Sequence, residues 1–256
     1  MTRPNPTDTI HYSRDFSGFI WKLKVDPVYG YLWIEMRDEH ELSVSIFRIN
    51  IETGEDEQII LGETLIWWDS LIGAYEDIII VHRIEDQKNP GPGVIRLLDA
   101  KKGREHMTIR DAVFHGQLES VISYRLSDNP EREYQEDLKQ WAMVPPNDPS
   151  IVSIPSVFPE THAYHQTVST FLRGIDIVSS GPIGYQEYQS SILIAYHQGS
   201  ADKLSRHLLW IRDGEVYLHQ MLDQSMKGYS QESFLTIGRY LIFVVDRKQL
   251  VIHLLT

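Results

Sequence analysis

Apolar residues along the chain fall into short runs of four to eight, rich in Ile, Val, Leu, Tyr and Trp, each closed by a cluster of Gly, Pro, Asn or Asp. Runs of that length and composition predict strands joined by turns, and helix signals are scarce. Phe19 to Asp26, FIWKLKVD, puts Phe19, Trp21, Leu23 and Val25 on one face and Lys22 and Lys24 on the other, the pattern of a half-buried strand. The clearest pair closes the chain. Arg239 to Asp246, RYLIFVVD, and Leu250 to Leu255, LVIHLL, flank the polar Arg247, Lys248 and Gln249 and predict a tight hairpin.

Segments also resemble one another. Ile20-Trp21 recurs as Ile66-Trp67, and Leu32 to Glu35 as Ile78 to Val81, both at an offset of 46; Ile49 to Gly54 matches Leu98 to Gly103 at an offset of 49. The extra residues fall in the loop Gln87 to Gly93, where insertion costs little. A weaker third copy has Ile192 to Tyr196 and His207 to Ile211 as strands and Asp213-Gly214 as turn, and the closing hairpin is a fourth. A unit of roughly 40 to 50 residues with about four strands is the size of a β-propeller blade. Starts near Phe19, Leu65, Gln117, Ile183 and Glu232 predict an all-β, propeller-like fold of about five blades in a single domain, residues 1–256. The unassigned piece Thr9 to Ser13 is expected to pair with the last blade and close the ring, hiding a bare edge. A two-sheet β-sandwich is the alternative.

An insertion is expected around residues 127–160. Ser127 to Val144 has Asn129 as a helix cap, Pro130 behind it, and Tyr134, Leu138 and Trp141 at helical spacing, but it reads equally as a polar hairpin with an outer strand. Pro145, Pro146, Pro149, Pro155 and Pro159 then exclude a central strand and predict a crossing loop.

Taken together, FSGFIWKLKVD, YLWIEMRDEHELSVSIFRINIETGE, the Trp67-Trp68 pair and ESFLTIGRYLIFVVDRKQLVIHLL resemble an uncharacterised bacterial family known as a domain of unknown function, over Phe16 to Leu255. That resemblance brings no catalytic residues. Glu52-Thr53-Gly54 and Asp99 to Gly103 are similar to the turns of quinoprotein-like and WD-type propeller repeats, which implies architecture only.

Charge and composition remove several function classes. With 24 basic and 36 acidic residues the formal charge is −12, which repels a phosphate backbone, so no nucleic-acid partner is expected. Leu241 to Val245 and Ile78 to Val81, the longest apolar runs, are far below the roughly 18 residues of a membrane helix. Met1 to Ser13 carries no apolar stretch, and a cytoplasmic monomer is expected. The absence of cysteine excludes disulfides, thiolate metal sites and cysteine nucleophiles.

Candidate chemistry is sparse. His162 and His165 would share a face on a helix but not on a strand; the segment reads as strand, so a shared metal is disfavoured. His82 and His197 would occupy related strand ends in a propeller, and rim positions of different blades can converge. Glu35 with Asp38, or Glu76 with Asp77, could supply an acid and a base, though surface carboxylates form such pairs by chance. Trp67 and Trp68, read as adjacent strand residues, must point to opposite faces, so one of them is expected outside the core, beside Asp69, where an indole could stack on a sugar or anchor a protein. No G-x-S-x-G, P-loop or H-E-x-x-H motif occurs. The expected ligand-binding set is therefore Trp68, Asp69, His82, His165 and His197, with no metal and no cofactor. The expected function is non-enzymatic: binding or scaffolding of a protein or small-molecule partner on propeller loops. A hydrolase or lyase in the central funnel is the alternative.

Overall fold

The computed structural model describes residues 9–62, 64–86, 88, 91–142, 151–200, 203–229 and 233–255. Glu232, Pro145, Pro146, Pro149 and part of the loop from Gln87 lie outside them. The chain divides into two compact units, residues 17–150 in one and residues 1–16 with 151–256 in the other. Strand β1 (Ile10–Asp15) belongs to the second unit.

In the 17–150 unit the first sheet is an antiparallel meander of β2 (Phe19–Asp26), β3 (Tyr31–Asp38), β4 (Ser43–Asn50) and β5 (Asp56–Ile59), with the short β6 (Leu65–Ile66) also on β4. The second sheet runs in chain order through β7 (Asp69–Tyr75), β8 (Ile78–Arg83), β9 (Gly93–Asp99), β10 (Arg104–Leu118), β11 (Val121–Leu126) and β12 (Asn129–Asp137). Between the two sheets lies a core of Trp33, Val44, Ile46, Leu65, Leu71, Ile79, Val81 and Leu98.

The expected third repeat at Gln117 is not a separate sheet. β10 is 15 residues long and pairs with β9 up to Ala112 and with β11 from Ala112 onward. Asp111, at φ 52°, marks the register shift at which one strand passes from the first hairpin to the second. Among the described residues there are accordingly four sheets.

Within residues 127–144 the outer-strand alternative is the one observed. Tyr134 pairs with and stacks on Tyr124, 5.7 Å between ring centres. The helical spacing of Tyr134, Leu138 and Trp141 arises because a strand is followed by a 3-10 turn, Leu138–Gln140, that buries Leu138 completely. In β2 the expected face assignment also fails. The register slips between Ile20 and Lys22, so Trp21 bulges outward and is 44 % exposed while Ile20 is buried.

Three turns of this unit are built alike. Asp26, Asn50 and Asp99 each accept the N–H groups two and three residues on at Oδ1, and each carbonyl accepts from the glycine four residues on. Those glycines, Gly30, Gly54 and Gly103, sit at φ 70°, 72° and 64°, a conformation that favours residues without a Cβ.

The other unit holds the third sheet, β14 (Ser156–Phe158), β15 (Ser180–Tyr188), β16 (Ser191–Ser200), β17 (Lys203–Arg212) and β18 (Glu215–Met226), in that order. The fourth is ordered β1, β21 (Gln249–Leu254), β20 (Tyr240–Val245), β19 (Phe234–Ile237) and β13 (Val152–Ser153). Among the described residues the proline-rich crossing thus supplies two short edge strands, β13 and β14. Leu193, Leu208, Trp210 and Leu222 of the third sheet pack on Phe234, Leu241, Phe243 and Val251 of the fourth. The far face of the third sheet is covered by α1 (Ala163–Gly174), which inserts Val168 and Leu172. The strand expected at His162 and His165 is therefore a helix. His162 caps it, its Nδ1 accepting from Tyr164 N at 3.3 Å, and polar Gln166 and Thr167 before Val168, with Ser169 and Thr170 between it and Leu172, mask the period.

The expected hairpin forms with Asp246 and Arg247 at positive φ, and the N-terminal strand pairs with β21 as expected. Tyr12 and Phe16 are buried, and Thr9 Oγ1 lies 3.0 Å from His253 Nδ1. His253, 3 % exposed between Trp210 and Phe243, has its pKa pushed down by burial to about 4. A histidine depressed in the folded state favours folding above about pH 6.5 and loses that contribution as pH falls toward 4. The thermal midpoint should fall across that window with a His253 share of ~3 kcal/mol, and His253→Phe should flatten the slope by that share. Equal slopes in the two proteins, read by circular dichroism, would contradict this.

Candidate functional site

β7 is an edge strand of the second sheet, and its outward N–H groups need partners that no neighbouring strand of that sheet supplies. Side chains take that place. Glu35 of β3 accepts from Leu71 N at 2.7 Å, Gln117 of β10 from Ala74 N at 3.1 Å, and Asp26 of β2 from Glu76 N at 2.5 Å. Gln117 also donates back to Ala74 O at 2.8 Å, closing a two-bond imitation of a strand. Gly73 allows this approach, since a Cβ there would lie 2.1 Å from Gln117 Oε1. Burial raises Asp26 to about 6, opposed by its three N–H donors.

Glu35 is 0 % exposed and does more than cap β7. Its Oε1 accepts from Arg37 Nε at 2.8 Å, and its Oε2 also accepts from Ser70 Oγ at 3.2 Å, which in turn accepts from Lys22 Nζ at 2.7 Å. Arg37 also donates to the Asp69 carbonyl at 3.2 Å. Its guanidinium faces two indoles that meet at an angle, 4.5 Å from the centre of Trp21 and 4.9 Å from that of Trp67, the two rings being 6.5 Å apart and tilted by 52°. The turn bearing Trp67 and Trp68 is fixed by Asp69, fully buried, which accepts from Ile66 N at 2.8 Å and pairs with Arg83 through two bonds of 2.8 Å. Around this bracing Trp21 is 44 %, Ile66 43 % and Trp68 37 % exposed.

Three expected site residues, Trp68, Asp69 and His82, lie at one end of the β7–β8 hairpin, where His82 pairs with Ser70. Trp67 and Trp68 are turn residues, not strand residues; Trp67 is half-buried and Trp68 exposed. Asp69 is spent on Arg83 and the turn. His82 lies one residue before the end of β8, with its pKa lowered first by burial and then by Lys22. The other two are in the other unit. His165 Nε2 is 2.9 Å from Gly181 O and docks α1 on β15. His197 stands inside β16, not at its end, 2 % exposed against the edge of Tyr229, and burial lowers its pKa. Arg37 and Trp21 went unflagged as a pair in the sequence; the signal was Glu35-x-Arg37, which sets both side chains on one face of a strand.

Of the carboxylates expected as acid–base pairs, Glu35 has three donors, Asp38 caps His40 and Glu41, Glu76 sits in a turn at φ 52°, and Asp77 pairs with Arg48. A cleft of about 270 Å³ is lined by Tyr31, Arg48, Asn50, Glu55, Asp56 and Glu57, but Arg48, stacked over Tyr31 and Trp33, is committed to Glu57 and Asp77. Among the described residues no three His, Asp or Glu side chains gather to hold a metal, and no helix is long and apolar enough to cross a membrane.

No family model and no curated protein matches the chain. Among solved structures it is similar to the β-propeller domain of the Trilobed protease from Pyrococcus furiosus, whose topology is described as open velcro. Identity is 9%, the TM-score 0.30, and the match covers 93% of this chain and 81% of that one. A likeness of that strength carries no weight beside the strand pairings themselves.

Glu35→Gln should test the base of the aromatic surface, because an amide cannot accept from both Arg37 and Leu71 without turning a donor on one of them. Breaking a buried pair predicts a loss of about 3–5 kcal/mol in urea unfolding and a shift in tryptophan emission; a loss below ~1 kcal/mol would show that Glu35 is not the support described.

Proposed function

We propose that this protein is a non-enzymatic binding or scaffold protein of propeller-like build. Its partner, a protein or a small molecule, sits on Trp21, Trp67 and Trp68. The observation that carries this is the guanidinium of Arg37, bound to a buried carboxylate and lying over the rings of both Trp21 and Trp67, next to which Trp21 and the turn residue Trp68 are exposed. Rigid exposed indoles supply large contact area at low entropic cost, as binding hot spots do. The propeller-like part is supported by successive antiparallel meanders, the last completed by the first strand of the chain. A net charge of −12 favours a partner other than nucleic acid. A hydrolase or lyase is not favoured, because the buried carboxylates of the site are saturated by donors.

Affinity capture with the wild type, Trp68→Ala and Trp21→Ala tests this. A hot-spot indole predicts a loss of at least ~2 kcal/mol, roughly thirtyfold in retained partner, while Val178→Ala, distant in sequence and 68 % exposed, should retain it. Identical partner profiles for all four proteins would remove the surface from consideration.

A further inference from the structure

A second cluster, in the other unit, has a different chemistry. On the third sheet His207 of β17 pairs directly with Met221 of β18 and with Tyr196 of β16. His219 lies two residues before Met221 and therefore on the same face, diagonal to His207. The two imidazole centres are 5.6 Å apart. An ion bound at about 2.0–2.1 Å to one nitrogen of each ring lies ~3.2 Å from each ring centre, so two rings sharing it stand roughly 5–6.5 Å apart. Met221 is 41 % exposed and His219 is exposed as well, which leaves the face open to an incoming ion.

The supporting bonds are also those of a ligand pair. His219 Nε2 meets the hydroxyl of fully buried Tyr196 at 2.5 Å, and His207 Nε2 meets Ser205 Oγ at 2.9 Å, leaving each Nδ1 without a hydrogen-bond partner among the described residues. A second nitrogen held by an outer group is what orients a metal-binding imidazole. The Tyr196 ring, stacked 5.3 Å from His207, fixes the plane of that imidazole.

We propose that His207, His219 and Met221 form a binding site for copper(I). Two imidazoles with a thioether, and no thiolate or carboxylate, make a donor set that selects copper over calcium and magnesium; the thioether favours the cuprous ion.

Full-length protein titrated anaerobically with copper(I) against a chromophoric copper(I) chelator should withdraw one equivalent. His207→Ala and His219→Ala should abolish that withdrawal, and Tyr196→Phe should weaken it by roughly 10–100-fold. Met221→Leu, an exposed and near-isosteric change that leaves folding intact by circular dichroism, should weaken copper(I) by at least about tenfold and leave zinc(II) binding unchanged. No withdrawal by the wild type, histidine variants that bind as it does, or Met221→Leu at wild-type affinity would each overturn the site.

Discussion

The 17–150 unit depends on how an exposed sheet edge is satisfied inside a protein. β7 begins the second sheet and packs beside the first, where an unpaired amide would cost about 1–3 kcal/mol each. Glu35, Gln117 and Asp26 supply the missing acceptors. A carboxylate brought to an edge amide must itself be neutralised or solvated, and this second demand builds the rest of the site. Glu35 requires Arg37, Arg37 is shielded by Trp21 and Trp67, and the turn bearing Trp67 is held by Asp69, which requires Arg83.

Each step of that chain trades solvation for geometry. The indoles are held in place by a cation that cannot leave, because removing it would strand a fully buried carboxylate. Trp21 is consequently presented to solvent braced against that cation, and an exposed aromatic with little conformational freedom to lose contributes most to binding. The same network removes the carboxylates from acid–base chemistry. The capped edge amides and the placement of the indoles have one cause.

Strands, turns and the pairing of chain ends were legible because they are written locally. RYLIFVVD and LVIHLL carry their own turn, and Asn50 and Asp99 each precede a glycine by four residues. What was not legible depends on register. One slip at Trp21 moved an indole from core to surface, and a 15-residue β10 serving two hairpins merged two expected repeats into one sheet. Helix α1 was hidden because the aliphatic residues it buries against the third sheet are just Val168 and Leu172, with Ser169, Thr167 and Thr170 around them. Trp68 and Asp69 could be singled out from the tryptophan pair, yet the role of Asp69 as a buried brace required Arg83 from the next strand.

Native-state amide hydrogen exchange at Leu71, Ala74 and Glu76 tests the central claim most directly. If side-chain acceptors from β2, β3 and β10 complete the edge of β7 and the turn after it, these three amides exchange as slowly as the paired amides of β8, and Glu35→Ala speeds Leu71 more than Ala74 or Glu76. Exchange of all three at the rate of open loop amides in the wild type would contradict it.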